Sequence, residues 1–393
     1  MSKKNSKKTV PELRFRGFTD PWEQRQLGEV AERTGSGGTP SSSDPRYYGG
    51  SIPFLGIGDI TGRFVDTTQK TLTKEGLANS AAWVVPQGAI SLAMYASYGK
   101  SAILSRPMAT SQAFFNVVFS SDATRDFIYS RFQCAEVRHE WDAMVSTGTQ
   151  PNLSGGKLKK WEVSLPPQPE QRLIGRFFST LDSLIAAAER QEALLRQKKQ
   201  AYLQLIFPRE GETEPRLRFA GFSGEWETQR FGEIFQYERP DAYLADDDEI
   251  EDEGAIPVLT ANKAFILGYT NSLQGIYRKG RCIIFDDFTL DSKRVDQPFK
   301  VRSSAIKILT VRENEDFDFA FELLRTSKFP LLGHARHYIA VVQPQATLIP
   351  HSLQEQQHIG RFFRNFDSLI ACAEKRVASL RTLKSAYLQR MFV

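Results

Sequence analysis

A long amphipathic segment occurs twice in this chain of 393 residues. The first copy, EQRLIGRFFSTLDSLIAAAERQEALLRQKKQAYLQLIF, begins at Glu170, and the second, EQQHIGRFFRNFDSLIACAEKRVASLRTLKSAYLQRMF, begins at Glu355. The copies align without a gap, and 23 of their 38 positions are identical. Apolar residues recur in each copy at alternating steps of three and four, which predicts an α-helix of about 36 residues and about 54 Å. An average helix has only about 11–12 residues.

The long apolar stripes also indicate how the helices pack. Each helix could lie against a separate domain, and this alternative stays open. A long stripe is better buried against a partner of matching length, so we expect the two copies to pair with each other as a coiled coil. The residues expected to make this pairing lie on the two stripes: Ile174, Phe177, Leu181, Leu184, Leu195, Tyr202, Ile359, Phe362, Phe366, Leu369, Leu380 and Tyr387.

A second, shorter repeat precedes each helix by a long interval. PELRFRGFTDPWEQRQLGEV begins at Pro11, and PRLRFAGFSGEWETQRFGEI begins at Pro215. The chain therefore reads as an opening motif, a globular block and a long helix, followed by the same three parts again. The blocks themselves do not visibly match each other. Both contain short runs rich in β-branched and aromatic residues, separated by Gly and Pro, which predicts mixed α/β structure. We infer a duplicated scaffold that carries two different reading modules.

Composition narrows the class of protein. Apolar residues make up 41% of the chain, but no apolar run approaches the length of about 20 residues that a membrane span needs. The N-terminal MSKKNSKKTV lacks the apolar segment of a signal peptide, and we expect a disordered basic tail there. Three widely spaced cysteines favour a reducing, cytoplasmic location. The net charge of +5 permits a nucleic-acid partner without requiring one.

Few segments resemble a catalytic motif. YGKS at Tyr98 lacks the first glycine of a phosphate-binding loop, because Met94 stands in its place. His334 and His337 are three residues apart, but no third metal ligand accompanies them. Two alternatives to DNA binding stay open. One is a metal-dependent nuclease built around Asp287, Asp291 and Lys293, and the other is a coiled-coil scaffold that does not bind DNA.

At the level of motifs, the chain resembles the DNA-specificity (S) subunit of type I restriction–modification enzymes, the HsdS family. The resemblance rests on the PELRF…W…LGE openings, on GTP…YYGGSIPFLGIGDI, on TGTQPNLSGGKLKKWEVSLPP and on the two helices that begin with EQ…IGRFF. Further support comes from IPVLTANKAFILGY and IIFDDFTLDSKRVDQPFKVRSSAIKIL in the second block. The resemblance covers nearly the whole chain after the N-terminal tail.

The resemblance implies an α+β fold with two α/β target recognition domains, separated by two long antiparallel helices that form a coiled coil in a pseudo-twofold duplicated architecture. The expected parts are a basic tail at 1–10, recognition domain 1 at 11–168, a central helix at 169–208, recognition domain 2 at 209–352 and a C-terminal helix at 353–393. Each domain would read one half of a split DNA sequence. A fixed helix length would then fix the separation of the two halves.

The implied partners are double-stranded DNA, two modification (methyltransferase) subunits and restriction (translocase/endonuclease) subunits. S-adenosylmethionine, ATP and Mg would belong to those partners, which implies a non-catalytic chain with no cofactor of its own. Bases are read in the major groove by Arg or Lys, Asn or Gln, and Asp or Glu side chains. The candidate DNA-binding residues are polar loop residues of the two blocks: Tyr98, Lys100, Ser146, Thr149, Gln150, Asn152, Asn262, Lys263, Asp291, Lys293, Arg294, His334, Arg336 and His337.

Overall fold

The chain forms two compact units. The computed structural model describes residues 10–146, 151–260, 265–330 and 337–393. Unit 1 comprises Met1–Gln191 and Ala373–Val393, and unit 2 comprises Glu192–Cys372. Each unit therefore combines one globular block with parts of both long helices.

The block of unit 1 leads into the first long helix. Its helices and strands, in chain order, are β1 (Glu23–Gln26), α1 (Leu27–Val30), β2 (Arg33–Gly35), β3 (Tyr48–Leu55), β4 (Phe64–Val65), β5 (Lys70–Leu72), α2 (Lys74–Ala78), β6 (Trp83–Val85), β7 (Ile90–Ala93), β8 (Ser101–Leu104), β9 (Met108–Thr110), β10 (Phe114–Val118), α3 (Asp122–Val137), α4 (Gly155–Lys159), β11 (Glu162–Leu165) and α5 (Gln168–Ile206).

The block of unit 2 leads into the second long helix in the same way. Its elements are β12 (Glu227–Arg230), α6 (Phe231–Ile234), β13 (Phe235–Glu238), β14 (Ile256–Leu259), β15 (Ile266–Thr270), β16 (Cys282–Asp286), β17 (Ser292–Val295), β18 (Lys300–Val301), β19 (Ile306–Val311), α7 (Phe317–Thr326), β20 (Ala346–Ile349) and α8 (Leu353–Met391).

The two repeated segments are single long helices, as their stripes predict. Both α5 and α8 contain 39 residues. In unit 1 the end of α8 runs antiparallel to the beginning of α5. The rings of Phe177 and Tyr387 lie 5.0 Å apart, and Lys384 Nζ lies 2.5 Å from a carboxylate oxygen of Asp182.

Unit 2 contains the same two contacts at the equivalent positions of the repeat. The rings of Phe362 and Tyr202 lie 5.2 Å apart, and Lys199 Nζ lies 2.6 Å from Asp367. Antiparallel pairing of the two helices is thus confirmed in each unit. Among the described residues, no helix is both long enough and apolar enough to span a membrane.

The two blocks share a sheet topology that their sequences do not reveal. The largest sheet of unit 1 has the strand order β2-β10-β7-β8-β4, and that of unit 2 has the order β13-β19-β16-β17. A second sheet has the order β5-β3-β9-β6 in unit 1 and β15-β14-β18 in unit 2. In both second sheets one pair is parallel, β3 with β9 and β14 with β18. The duplicated α+β architecture is therefore confirmed and extends into the blocks.

Each core is closed by the last aromatic residue of a long repeat. In unit 1 the ring of Phe392 lies 6.3 Å from that of Trp22 and 5.3 Å from that of Phe127. In unit 2 the equivalent Phe207 lies 6.1 Å from Trp226. The two tryptophans belong to the opening motifs, so the two repeats meet inside each core. Buried aromatic pairs of this kind contribute about 0.5–1.5 kcal/mol beyond their burial.

Candidate nucleic-acid interface

A hairpin in unit 1, defined here as the first hairpin, consists of β7, β8 and the turn at residues 94–99. The strands are antiparallel, with Ile90 opposite Ile103. Four backbone hydrogen bonds hold the turn and its base: Ala93 N to Lys100 O, Gly99 N to Ala93 O, Met94 N to Ala113 O, and Leu153 N to Met94 O. The last of these bonds joins the turn to the segment that follows residues 147–150.

The second hairpin consists of β16, β17 and the turn at residues 287–290 in unit 2. The same four bonds recur there: Asp286 N to Asp291 O, Leu290 N to Asp286 O, Asp287 N to Ala305 O, and His337 N to Asp287 O. The turns also end alike, because Gly99 (φ 88°) and Leu290 (φ 62°) both adopt a left-handed conformation. The two hairpins therefore occupy equivalent positions in their units.

Four of the candidate DNA-binding residues lie together at the first hairpin. The hydroxyl of Tyr98 donates a hydrogen bond of 2.9 Å to Asp142, and this bond raises the pKa of Tyr98. Lys100 Nζ lies 3.5 Å from the carbonyl oxygen of Ile57. The hydroxyl of Ser146 donates to Asn152 Oδ1 at 2.9 Å. The structure thus brings together side chains that are separated by up to 54 residues in the sequence.

Three more candidates lie on the second hairpin. Lys293 Nζ lies 3.6 Å from Asp291 and 4.9 Å from the centre of the Phe265 ring. Arg294 donates a hydrogen bond of 2.8 Å to Asp318, whose carboxylate also contacts other arginines. Asp291 and Lys293 are accessible at the turn, whereas the guanidinium of Arg294 is engaged with α7.

His337 and Asp287 are interior residues. His337 is fully buried, and its Nδ1 lies 2.9 Å from the carbonyl oxygen of Asp287. The buried Asp287 carboxylate lies 3.1 Å from Lys307 Nζ and accepts a hydrogen bond from Tyr338 N. A fully buried imidazole offers no surface to a base, so we exclude His337 from the interface.

The same arrangement weighs against a nuclease built on Asp287. Its carboxylate is neutralised by Lys307 in the interior, while Asp291 lies exposed beyond the turn. Among residues 10–146, 151–260, 265–330 and 337–393, no group of three or more His, Cys, Asp or Glu side chains is arranged to hold a metal ion. The predicted residues Thr149, Gln150, Asn262, Lys263, His334 and Arg336 lie outside the described ranges.

The residues expected to pair the helices differ in their exposure. Most are buried or half-buried: Ile174, Phe177, Leu181, Leu195, Tyr202, Ile359, Phe362, Phe366, Leu380 and Tyr387. Leu184 and Leu369, which are equivalent in the repeat, instead remain 42% and 54% exposed. Phe178 and Phe363 were not included in the predicted set, although both are fully buried. The apolar face is therefore rotated slightly from the predicted stripe.

Two ion pairs that the sequence did not predict join the opening motifs to the helices, and their carboxylates are buried. Arg14 donates two hydrogen bonds to Glu170, at 2.7 and 2.8 Å. In unit 2, Arg218 donates two hydrogen bonds to Glu355, both at 2.8 Å. A signal was present, because all four residues are identical between the copies of their repeats. Such paired hydrogen bonds fix orientation as well as contributing energy.

Comparison with known proteins agrees with this duplicated framework. Residues 19–197 match the family model described as the type I restriction modification DNA specificity domain. This match covers slightly less than half of the chain. Over 179 residues the chain is 38% identical to the type I restriction enzyme EcoR124I/EcoR124II specificity subunit of Escherichia coli. The aligned region covers 42% of this chain and 43% of the relative.

A second relative shows a lower identity over a similar length. The type I restriction enzyme MjaIX specificity subunit of Methanocaldococcus jannaschii is 26% identical over 177 residues, which is 44% of this chain and 41% of that protein. The chain thus aligns with less than half of the length of each of these relatives.

Solved structures extend the fold comparison to the whole chain. The type I restriction-modification system S subunit from M. genitalium matches with a TM-score of 0.66 at 14% identity, covering 98% of this chain and 99% of that one. A chain from a structure of the type I R-M system matches with a TM-score of 0.52 at 18% identity, covering 94% and 97%. At these identities the likeness concerns the fold alone.

Proposed function

We propose that this chain is the DNA-specificity subunit of a type I restriction–modification complex. In this role it recognises a bipartite DNA target and directs adenine methylation and restriction by partner subunits. The observation that carries the proposal is the pair of equivalent hairpins, each surrounded by accessible polar side chains of a different kind. A duplicated frame with different reading residues suits a DNA word whose two parts differ in sequence.

The chemistry of the complex belongs to the partners in this proposal. The chain itself is non-catalytic and needs no cofactor, while S-adenosylmethionine, ATP and Mg act in the modification and restriction subunits. Leu184 and Leu369 support two equivalent docking sites for modification subunits, because each exposes a large apolar side chain at the same position of the repeat. Exposed apolar surface of this kind often marks a protein interface.

The test is reconstitution. The chain is combined with its modification subunits, S-adenosylmethionine and a DNA library, and the methylated adenines are mapped by sequencing. We expect one split word, methylated only when all components are present. Methyl transfer or plasmid cleavage by the isolated chain with magnesium would contradict the proposal, and so would the absence of any sequence-specific methylation by the complete mixture.

A further inference from the structure

The second residue of each hairpin turn is aromatic and partly exposed. Met94 and Asp287 make equivalent backbone hydrogen bonds to the neighbouring strand and to the segment that packs on the turn. Tyr95 follows Met94 and is 37% exposed, and Phe288 follows Asp287 and is 42% exposed. Neither residue is among the candidates that the sequence predicts. The two turns, MYASYG and DFTL, differ in length and sequence, so the sequence does not show that these two rings are equivalent.

Hydrogen bonds hold the backbone beneath both rings. In the second hairpin, Asp286 is buried, and its carboxylate accepts hydrogen bonds from Phe288 N at 2.9 Å and from the Thr289 hydroxyl at 2.7 Å. Leu290, a residue for which a left-handed conformation is strained, completes the turn. In the first hairpin Ala96 is strained in the same way, with φ 56°. Strained turns that persist in a fixed framework often occur at functional sites.

Both rings are partly exposed. Within the described part of the chain, the side chains of Tyr95 and Phe288 have no hydrogen bond, ion pair or ring contact. Lys100 directly precedes β8. Lys293 lies in β17, and its Nζ is 3.6 Å from the carboxylate of Asp291. An exposed aromatic in a hairpin turn suits the major groove, because the ring favours the apolar group of a base edge.

We propose that Tyr95 and Phe288 each contact the C5-methyl group of a thymine in the major groove, one in each part of the split word. This inference rests on the proposed function. Only the turns of the two hairpins can reach a base, because β7, β8 and β16 are buried inside their sheets. The thymine methyl is the apolar group displayed in the major groove. Because the two rings occupy equivalent positions, both units can make the same kind of apolar contact, while the polar residues around it differ between them.

The test uses the complete complex of this chain with its modification subunits. The variants Tyr95→Ala and Phe288→Ala are compared with the wild-type chain and with two controls that shorten exposed apolar side chains elsewhere, Val84→Ala in unit 1 and Leu273→Ala in unit 2. We expect each ring variant to lower the methylation rate about tenfold and to relax one part of the word only. Both controls should methylate the original word at the wild-type rate, and all variants should keep the wild-type melting temperature.

A second measurement isolates the methyl group. Each thymine of the target is replaced in turn by uracil, which lacks only the C5-methyl. One replacement in each part should slow the wild-type complex, and the same replacement should leave the matching alanine variant unaffected, as a double-mutant cycle requires. An equal penalty in wild type and variant, a part of the word without thymine on either strand, or unchanged words in both variants would overturn the inference. If the wild-type complex methylates no specific word, the proposed function itself fails instead.

Discussion

Lys199 shows how one side chain can hold two carboxylates inside unit 2. Its Nζ lies 2.7 Å from the buried Glu322 on α7 and 2.6 Å from Asp367 on α8. Burial raises the pKa of Glu322, although Lys199 opposes that shift. A carboxyl group whose pKa is higher in the folded state stabilises the fold less as pH rises, so the ionised Glu322 costs stability above its unfolded pKa of about 4.3.

The first prediction compares the loss of Lys199 with the loss of the Glu322 charge. Lys199→Met leaves the buried carboxylate without its closest cation and should lower the free energy of unfolding by about 3–5 kcal/mol at pH 7.5. The loss should be smaller at pH 5, where more of Glu322 is protonated. The control Glu322→Gln should have little effect, because Lys199 keeps Asp367. Denaturant unfolding with hydrogen exchange of α7 measures both. Equal losses in the two variants would contradict this account.

At the scale of elements, one glycine in each long helix permits a close helix crossing. A Cβ at Gly175 would lie 2.7 Å from Asp126 Cβ at the beginning of α3. A Cβ at the equivalent Gly360 would lie 2.7 Å from the backbone nitrogen of Phe319 at the beginning of α7. Glycine within a helix costs about 1 kcal/mol relative to alanine. The close crossing leaves no room for a Cβ, which explains why both long helices contain a glycine near their beginning despite this cost.

The second prediction is that alanine at these positions destabilises the protein despite its better helix propensity. Gly360→Ala should lower the free energy of unfolding by about 1–3 kcal/mol, the usual cost of overpacking, and Gly175→Ala should act in the same direction. The matched control is Gly156→Ala in α4, where the added Cβ would meet only Ser154 Oγ, at 3.7 Å. Thermal unfolding of the three variants is the measurement. A stabilised Gly360→Ala would show that the crossing is looser than described.

The elements also show how far sequence reasoning extends. The long helices and their pairing were predictable, because side-chain periodicity and identity between copies carry that information. The shared sheet order was not predictable from the sequence. Backbone hydrogen bonds define this order, and the alternating pattern of a strand does not indicate which other strand it pairs with. The contact of the polar candidates with DNA stays a prediction, although several of them near the hairpins were accessible. His337 was not, because its burial depends on Asp287, which is distant in the sequence.

At the scale of the whole molecule, the question is why the long helix is present twice. Each of α5 and α8 passes without a break from the residues of one unit to those of the other, close to Gln191 and Cys372. If each unit reads one part of a DNA word, as proposed, then the two helices together determine the number of base pairs between the parts. Equal changes in both helices would keep their pairing while changing that number.

The last prediction tests this role directly. Four helix-forming residues are inserted after Gln191 and four after Arg376, its equivalent in the repeat. Each helix lengthens by about 6 Å and turns by about 40°, while a base pair of B-DNA adds about 3.4 Å and about 34°. The translation corresponds to about two base pairs and the rotation to about one. We therefore expect a spacer longer by one or two base pairs, with both parts of the word unchanged in the methylation map. An insertion in one helix only, the control, should offset the apolar faces and reduce stability or assembly. If the double insertion still methylates the original spacer at the full rate, the helices do not set the spacing and serve only to bind partners.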